Sequence, residues 1–82
     1  VAVVGNEDGA HKVSADVFQG LNDVGFSLAG QAVTYWVGEA MQGTDYQDLD
    51  ETPEAVASTT KALAANAVHL ARLLADAPYP AP

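Results

Sequence analysis

The chain has 82 residues, eleven carboxylates against three basic side chains, a formal net charge of −8, and no cysteine. Three scattered cations, Lys12, Lys61 and Arg72, cannot neutralise a row of phosphates, so nucleic acid and anionic membrane surfaces are excluded as partners. The missing cysteines exclude disulfides, zinc-thiolate sites and thiol nucleophiles, and they suit a cytoplasmic setting.

Apolar residues make up 49% of the chain, but sixteen of them are alanine. That suffices for one modest core. A chain this short buries only roughly 60% of the surface its unfolded form exposes, so a lone monomer is marginal. No apolar run approaches the ~20 residues of a membrane span, and no basic flank marks a signal peptide.

Val1 to Val4 is a short apolar run closed by Gly5 and the polar stretch Asn6-Glu7-Asp8-Gly9. An apolar run ended by turn residues predicts a strand covered on both faces. Val13, Val17, Phe18, Leu21 and Val24 then share one helical stripe, which predicts a helix over 10–24. Gly25 stands where a helix C-terminal cap wants a positive φ. Gly20 inside this helix costs about 1 kcal/mol relative to alanine, which points to a close neighbour there.

From Phe26 to Trp36 the residues favour strand, most clearly Ala32-Val33-Thr34-Tyr35-Trp36. Residues 38–51 have no sustained period and carry Glu39, Asp45, Asp48, Asp50 and Glu51, which predicts a long acidic surface loop. Thr52 is a candidate helix cap, with Pro53 at the first helical position. Val56, Thr60, Leu63, Ala67, Leu70 and Leu74 then predict a helix over 53–75 with those residues inward. Pro78, Pro80 and Pro82 mark a tail, so the expected division is 1–77 as the folded part and 78–82 as a proline-rich tail.

The expected fold class is α/β: a β-α-β-α unit with a right-handed crossover, part of a doubly wound parallel sheet. Two parallel strands cannot stand alone, so the rest of the sheet is expected from a missing N-terminal half or a self-associated copy.

In such sheets ligands bind beyond the carboxyl ends of the strands, where two segments fall. One is Gly5-Asn6-Glu7-Asp8-Gly9-Ala10-His11, whose amides open a helix. It matches neither a dinucleotide fingerprint nor a Walker loop, and its acids would repel a phosphate. A ligand-free turn is the other reading of it. The second segment holds Tyr35 and Trp36, flat rings suited either to flank a flat ligand or to pack as an interface anchor. His11 stands at the helix start, open to solvent or to the site. His69 reads as a surface residue, and the loop acids do not match a calcium-loop pattern. No residue is assigned as catalytic, and no metal site is expected.

The loop Gly5 to His11, the segment Leu21-Asn22-Asp23-Val24-Gly25-Phe26 and the segment 34–40 (Thr-Tyr-Trp-Val-Gly-Glu-Ala) together resemble the C-terminal half of a flavodoxin-like NAD(P)H-dependent FMN reductase. The resemblance covers nearly the whole chain, to about Leu74. It implies the fourth strand, fourth helix, fifth strand and last helix of a five-stranded sheet. It places Gly5, Asn6, Glu7, Asp8, Gly9, Ala10 and His11 beside the isoalloxazine of FMN, with Tyr35 and Trp36 at the border of the same pocket. It implies hydride transfer from NAD(P)H to the flavin, in a parent oxidoreductase rather than in these residues alone. The alternative is a cofactor-free half-domain that assembles through exposed strand edges.

Overall fold

The computed structural model describes residues 9–38 and 43–82. Helix α1 spans Ala10–Asp23, a single 3-10 turn η1 spans Tyr46–Asp48, and helix α2 spans Glu54–Asp76. Among the described residues there is no strand, which overturns the expected doubly wound parallel sheet. The first expected strand, Val1 to Val4, lies outside the described residues. Residues 26–38 form no ladder among the described residues. β-propensity reports fit to a pleated, half-buried surface, whereas a strand also needs a neighbour to bond with.

Helix α1 ends as its sequence predicts. Gly25 has φ 101°, its N–H donates to the Asn22 carbonyl at 3.1 Å, and the Phe26 N–H donates to the Leu21 carbonyl at 3.0 Å. These two bonds make a Schellman stop, which a β-carbon at residue 25 would strain. The packed face of α1 differs from the expected stripe. Ala10 and Ser14 are buried, Val17 and Leu21 half-buried, while Val13, Phe18 and Val24 are exposed. Small residues at 10 and 14 let the helix approach its neighbour, which turns the larger side chains outward. Gly20 has open space around it, so the expected close neighbour is absent among the described residues.

Helix α2 begins one residue later than expected. Pro53 is its N-cap, no side chain caps it, and the Ala57 N–H donates to the Pro53 carbonyl at 3.0 Å. Val56 is buried, and Thr59, Leu63, Asn66, Leu70 and Leu74 are half-buried. The inward face therefore carries Thr59 and Asn66 where Thr60 and Ala67 were expected. At about 1.5 Å per residue the helix is roughly 34 Å long. It dominates a shape of 49 × 23 × 14 Å.

The two helices do not pack on each other. Residues 26–38 run between them. Residues 25–29 and Ala32 share a cleft with Leu63 and Leu70 of α2, whereas Val33 and Tyr35 share a cleft with Ser14 and Phe18 of α1. From Ala32 onward the faces alternate as in an extended chain, so the segment meets both helices. The segment starts at a tight turn. Gln31 has φ 56°, and the Asn66 amide of α2 donates to the Gly30 carbonyl at 2.7 Å. This bond fixes where the extended run begins relative to α2.

The buried set among the described residues is thin: Ala10, Ala32 and Val56, with Ser14 and Thr34 as polar members. Ser14 is satisfied, its hydroxyl donating to the His11 carbonyl at 2.9 Å. Thr34 is 3% exposed and its hydroxyl oxygen has no partner among the described residues. A buried unpartnered hydroxyl costs about 1–3 kcal/mol, and valine has the same shape without it. Thr34→Val is therefore expected to raise stability by about 1 kcal/mol, read as a higher urea midpoint of the helical circular dichroism signal. Gly20→Ala, with free space for the methyl group, is expected to add about 0.8–1 kcal/mol in the same measurement.

Candidate functional site

Among the described residues, the two segments singled out in the sequence meet where His11 stacks on Tyr35. The His11 and Tyr35 rings stack with centroids 5.2 Å apart and planes within 6°. Local structure explains the placement. His11 is the second residue of α1, whose first turn is closed by the Val13 N–H donating to the Gly9 carbonyl at 3.0 Å. Tyr35 lies two residues after Val33, on the face of the segment that lines the α1 cleft. Parallel stacked rings contribute about 0.5–1.5 kcal/mol beyond the area they bury.

A cleft of about 430 Å³ runs from this stack along α1. Ala15, Phe18 and Val33 give it an apolar floor, with the His11 ring at one end and the Gln19 amide on its wall. Apolar walls with a few polar groups are the usual make-up of a small-molecule site.

Trp36 is placed differently from Tyr35. Its indole folds back along the chain over Gly38, and a β-carbon on Gly38 would lie 2.5 Å from the ring. The indole also makes a T-shaped contact with Tyr46, with centroids 5.9 Å apart and planes at 62°. Tyr46 is held by η1, where the Asp48 N–H donates to the Asp45 carbonyl at 2.9 Å and the Asp45 N–H to the Asp48 carboxylate at 3.0 Å. Of the other expected site residues, Gly9 and Ala10 form the entry to α1, and Ala10 is buried. Gly5, Asn6, Glu7 and Asp8 lie outside the described residues.

The remaining candidates stay apart. His69, Asp45, Asp48, Asp50 and Glu51 are exposed. Among the described residues no three histidine or acidic side chains gather to hold a metal ion, and no helix is long and apolar enough to cross a membrane. Sequence reasoning missed Tyr46 and Asn66. Tyr46 sits in an aperiodic acidic loop, and Asn66 hides inside a helix whose apolar residues carry the visible period.

No protein-family model matches the chain. The chain is 38% identical over 78 residues to 8-demethyl-8-aminoriboflavin-5'-phosphate synthase of Streptomyces davaonensis, covering 92% of this chain and 30% of the synthase. Its structure is similar to that of RosB crystallised with the bound intermediate 8-demethyl-8-formylriboflavin-5'-phosphate. The TM-score is 0.75 at 34% identity, over 95% of this chain and 32% of RosB. The chain thus spans about a third of the length of the relatives it matches.

These likenesses overturn the expected NAD(P)H-dependent FMN reductase. The relatives are a synthase of a modified riboflavin phosphate and a protein holding a flavin intermediate, and neither is a nicotinamide-dependent oxidoreductase by description. The flavodoxin-like assignment falls with it, since the described residues contain no strand. A glycine-rich loop and an aromatic pair constrain how a backbone approaches a flat ring. They do not encode the reaction the ring enters, which is why the resemblance misjudged it.

The stack yields a direct prediction. Tyr35→Ala removes the ring-current shift of the His11 ring protons in the NMR spectrum and lowers stability by about 0.5–1.5 kcal/mol. Tyr35→Phe keeps both, because the contact is made by the ring rather than the hydroxyl.

Proposed function

We propose that this chain supplies part of the binding site for a 5'-phosphorylated flavin in a longer protein that modifies the flavin ring. Residues Gly5 to His11 and Tyr35 line the ring, and Trp36 borders the same pocket. The observation that carries this reading is the parallel stack of His11 on Tyr35, which joins the α1 entry to the extended segment. The likeness to a flavin-phosphate synthase and to a structure holding a flavin-phosphate intermediate supports it. The nicotinamide reductant has no support from either relative.

Residues 1–77 act as the folded part and 78–82 as a tail. Within that tail the Tyr79 hydroxyl accepts a hydrogen bond from Ser27 at 2.7 Å. The acids Glu7 and Asp8 would repel a phosphate, so the phosphate anchor belongs to the rest of the longer protein. Exposure supports the same division. Val13, Phe18, Val37, Val68 and Leu73 are each 42–52% exposed, apolar surface that a partner segment would cover.

Riboflavin 5'-phosphate is titrated against the 82-residue chain, with flavin fluorescence as readout. The titration is repeated with the remaining two-thirds of the Streptomyces relative made separately. Quenching only in the second arm is the expected result. No quenching in either arm removes the flavin reading and leaves a cofactor-free assembly module. Tight binding by the chain alone would overturn the divided site.

A further inference from the structure

Beyond the stack itself, the geometry points to Trp36 as a positioning residue, seated on Gly38 and closed by Tyr46, that orients Tyr35 toward α1. Three observations carry this. The indole is half-buried and lies against Gly38 so closely that a β-carbon there would meet three of its ring carbons at 2.5, 2.9 and 3.2 Å. Only glycine at residue 38 leaves room for this conformer, since a contact under about 3 Å is well inside van der Waals distance. The edge of the contact pair comes from Tyr46, ten residues along the chain, in a turn that its own backbone and Asp48 hold closed.

The clamp joins the end of the extended segment to η1. Adjacent side chains of an extended chain leave on opposite faces. A ring locked on one face at residue 36 therefore fixes the face on which Tyr35 emerges. That face is the one that carries the His11 ring. Trp36 thus acts through Tyr35 and does not itself need to touch a ligand. The consequence for flavin binding rests on the function proposed above, whereas the consequence for the two rings does not.

Trp36 is the single tryptophan of the chain, so its emission reports the clamp without interference. The test is Gly38→Ala in the 82-residue chain, with Tyr46→Ala, Tyr46→Phe and Leu70→Ala beside it. Leu70 lies in the cleft on the α2 side, away from the clamp, and its truncation controls for a general loss of stability. Gly38→Ala and Tyr46→Ala are expected to red-shift Trp36 emission, raise its quenching by acrylamide and shrink the ring-current shift of His11. Tyr46→Phe is expected to restore all three. Leu70→Ala lowers the urea midpoint and leaves the emission and the His11 shift in place. In the complemented sample, Gly38→Ala is expected to weaken riboflavin 5'-phosphate about tenfold, the worth of one displaced aromatic contact.

Unchanged emission in Gly38→Ala would overturn the clamp, and so would a shifted emission with the His11 ring shift intact. If the unsubstituted, complemented chain binds no flavin, the proposed function fails alone, and the emission and ring shifts still decide the clamp.

Discussion

The organisation of the chain depends on the alternation of side chains along residues 32–35. An extended backbone sends neighbours to opposite faces, and here each face meets a different helix. Residues 25–29 and Ala32 line the cleft on α2, while Val33 and Tyr35 line the cleft on α1. The helices need not touch, because the segment between them mediates the packing of both. A one-residue slip would exchange the two sets. Asn66 at the Gly30 carbonyl and the Trp36 seat on Gly38 pin opposite ends of the run against that slip.

Register control has a chemical consequence. The stack of His11 on Tyr35 exists only if residue 35 faces α1 and the first turn of α1 ends where it does. A helix start and an extended segment far apart in sequence then present one flat, aromatic surface next to an apolar cleft. The proposed role in flavin binding rests on that surface. The exposed apolar residues on both helices fit a part that completes its packing against other segments, since the three apolar side chains buried among the described residues offset little of the entropy lost on ordering.

Parts of this arrangement were legible in the residues. The Schellman stop at Gly25 follows from a glycine after an amphipathic run, and both helices lie within a residue or two of the positions their periodicity marks. His11 and Tyr35 were visible as candidates because each sits at the end of an element. The inward faces were less legible. Ranking by apolarity selected Val13 and Phe18, yet the packed face of α1 is Ala10 and Ser14, since close approach favours small side chains. The same ranking passed over Asn66, a polar residue that earns its inward position through a hydrogen bond to Gly30.

The sequence by itself determined the helices, the turn chemistry at Gly25 and the lack of thiols in these residues, because these depend on local periodicity, backbone freedom and side-chain inventory. It also singled out Tyr35 and Trp36, though not Tyr46. Tertiary structure alone decided that Tyr35 reaches His11 whereas Trp36 turns away onto Gly38 and Tyr46. Adjacent residues of like chemistry are equivalent to a sequence pattern. Only the pleat of an extended chain, fixed by contacts distant in sequence, sends them to different tasks.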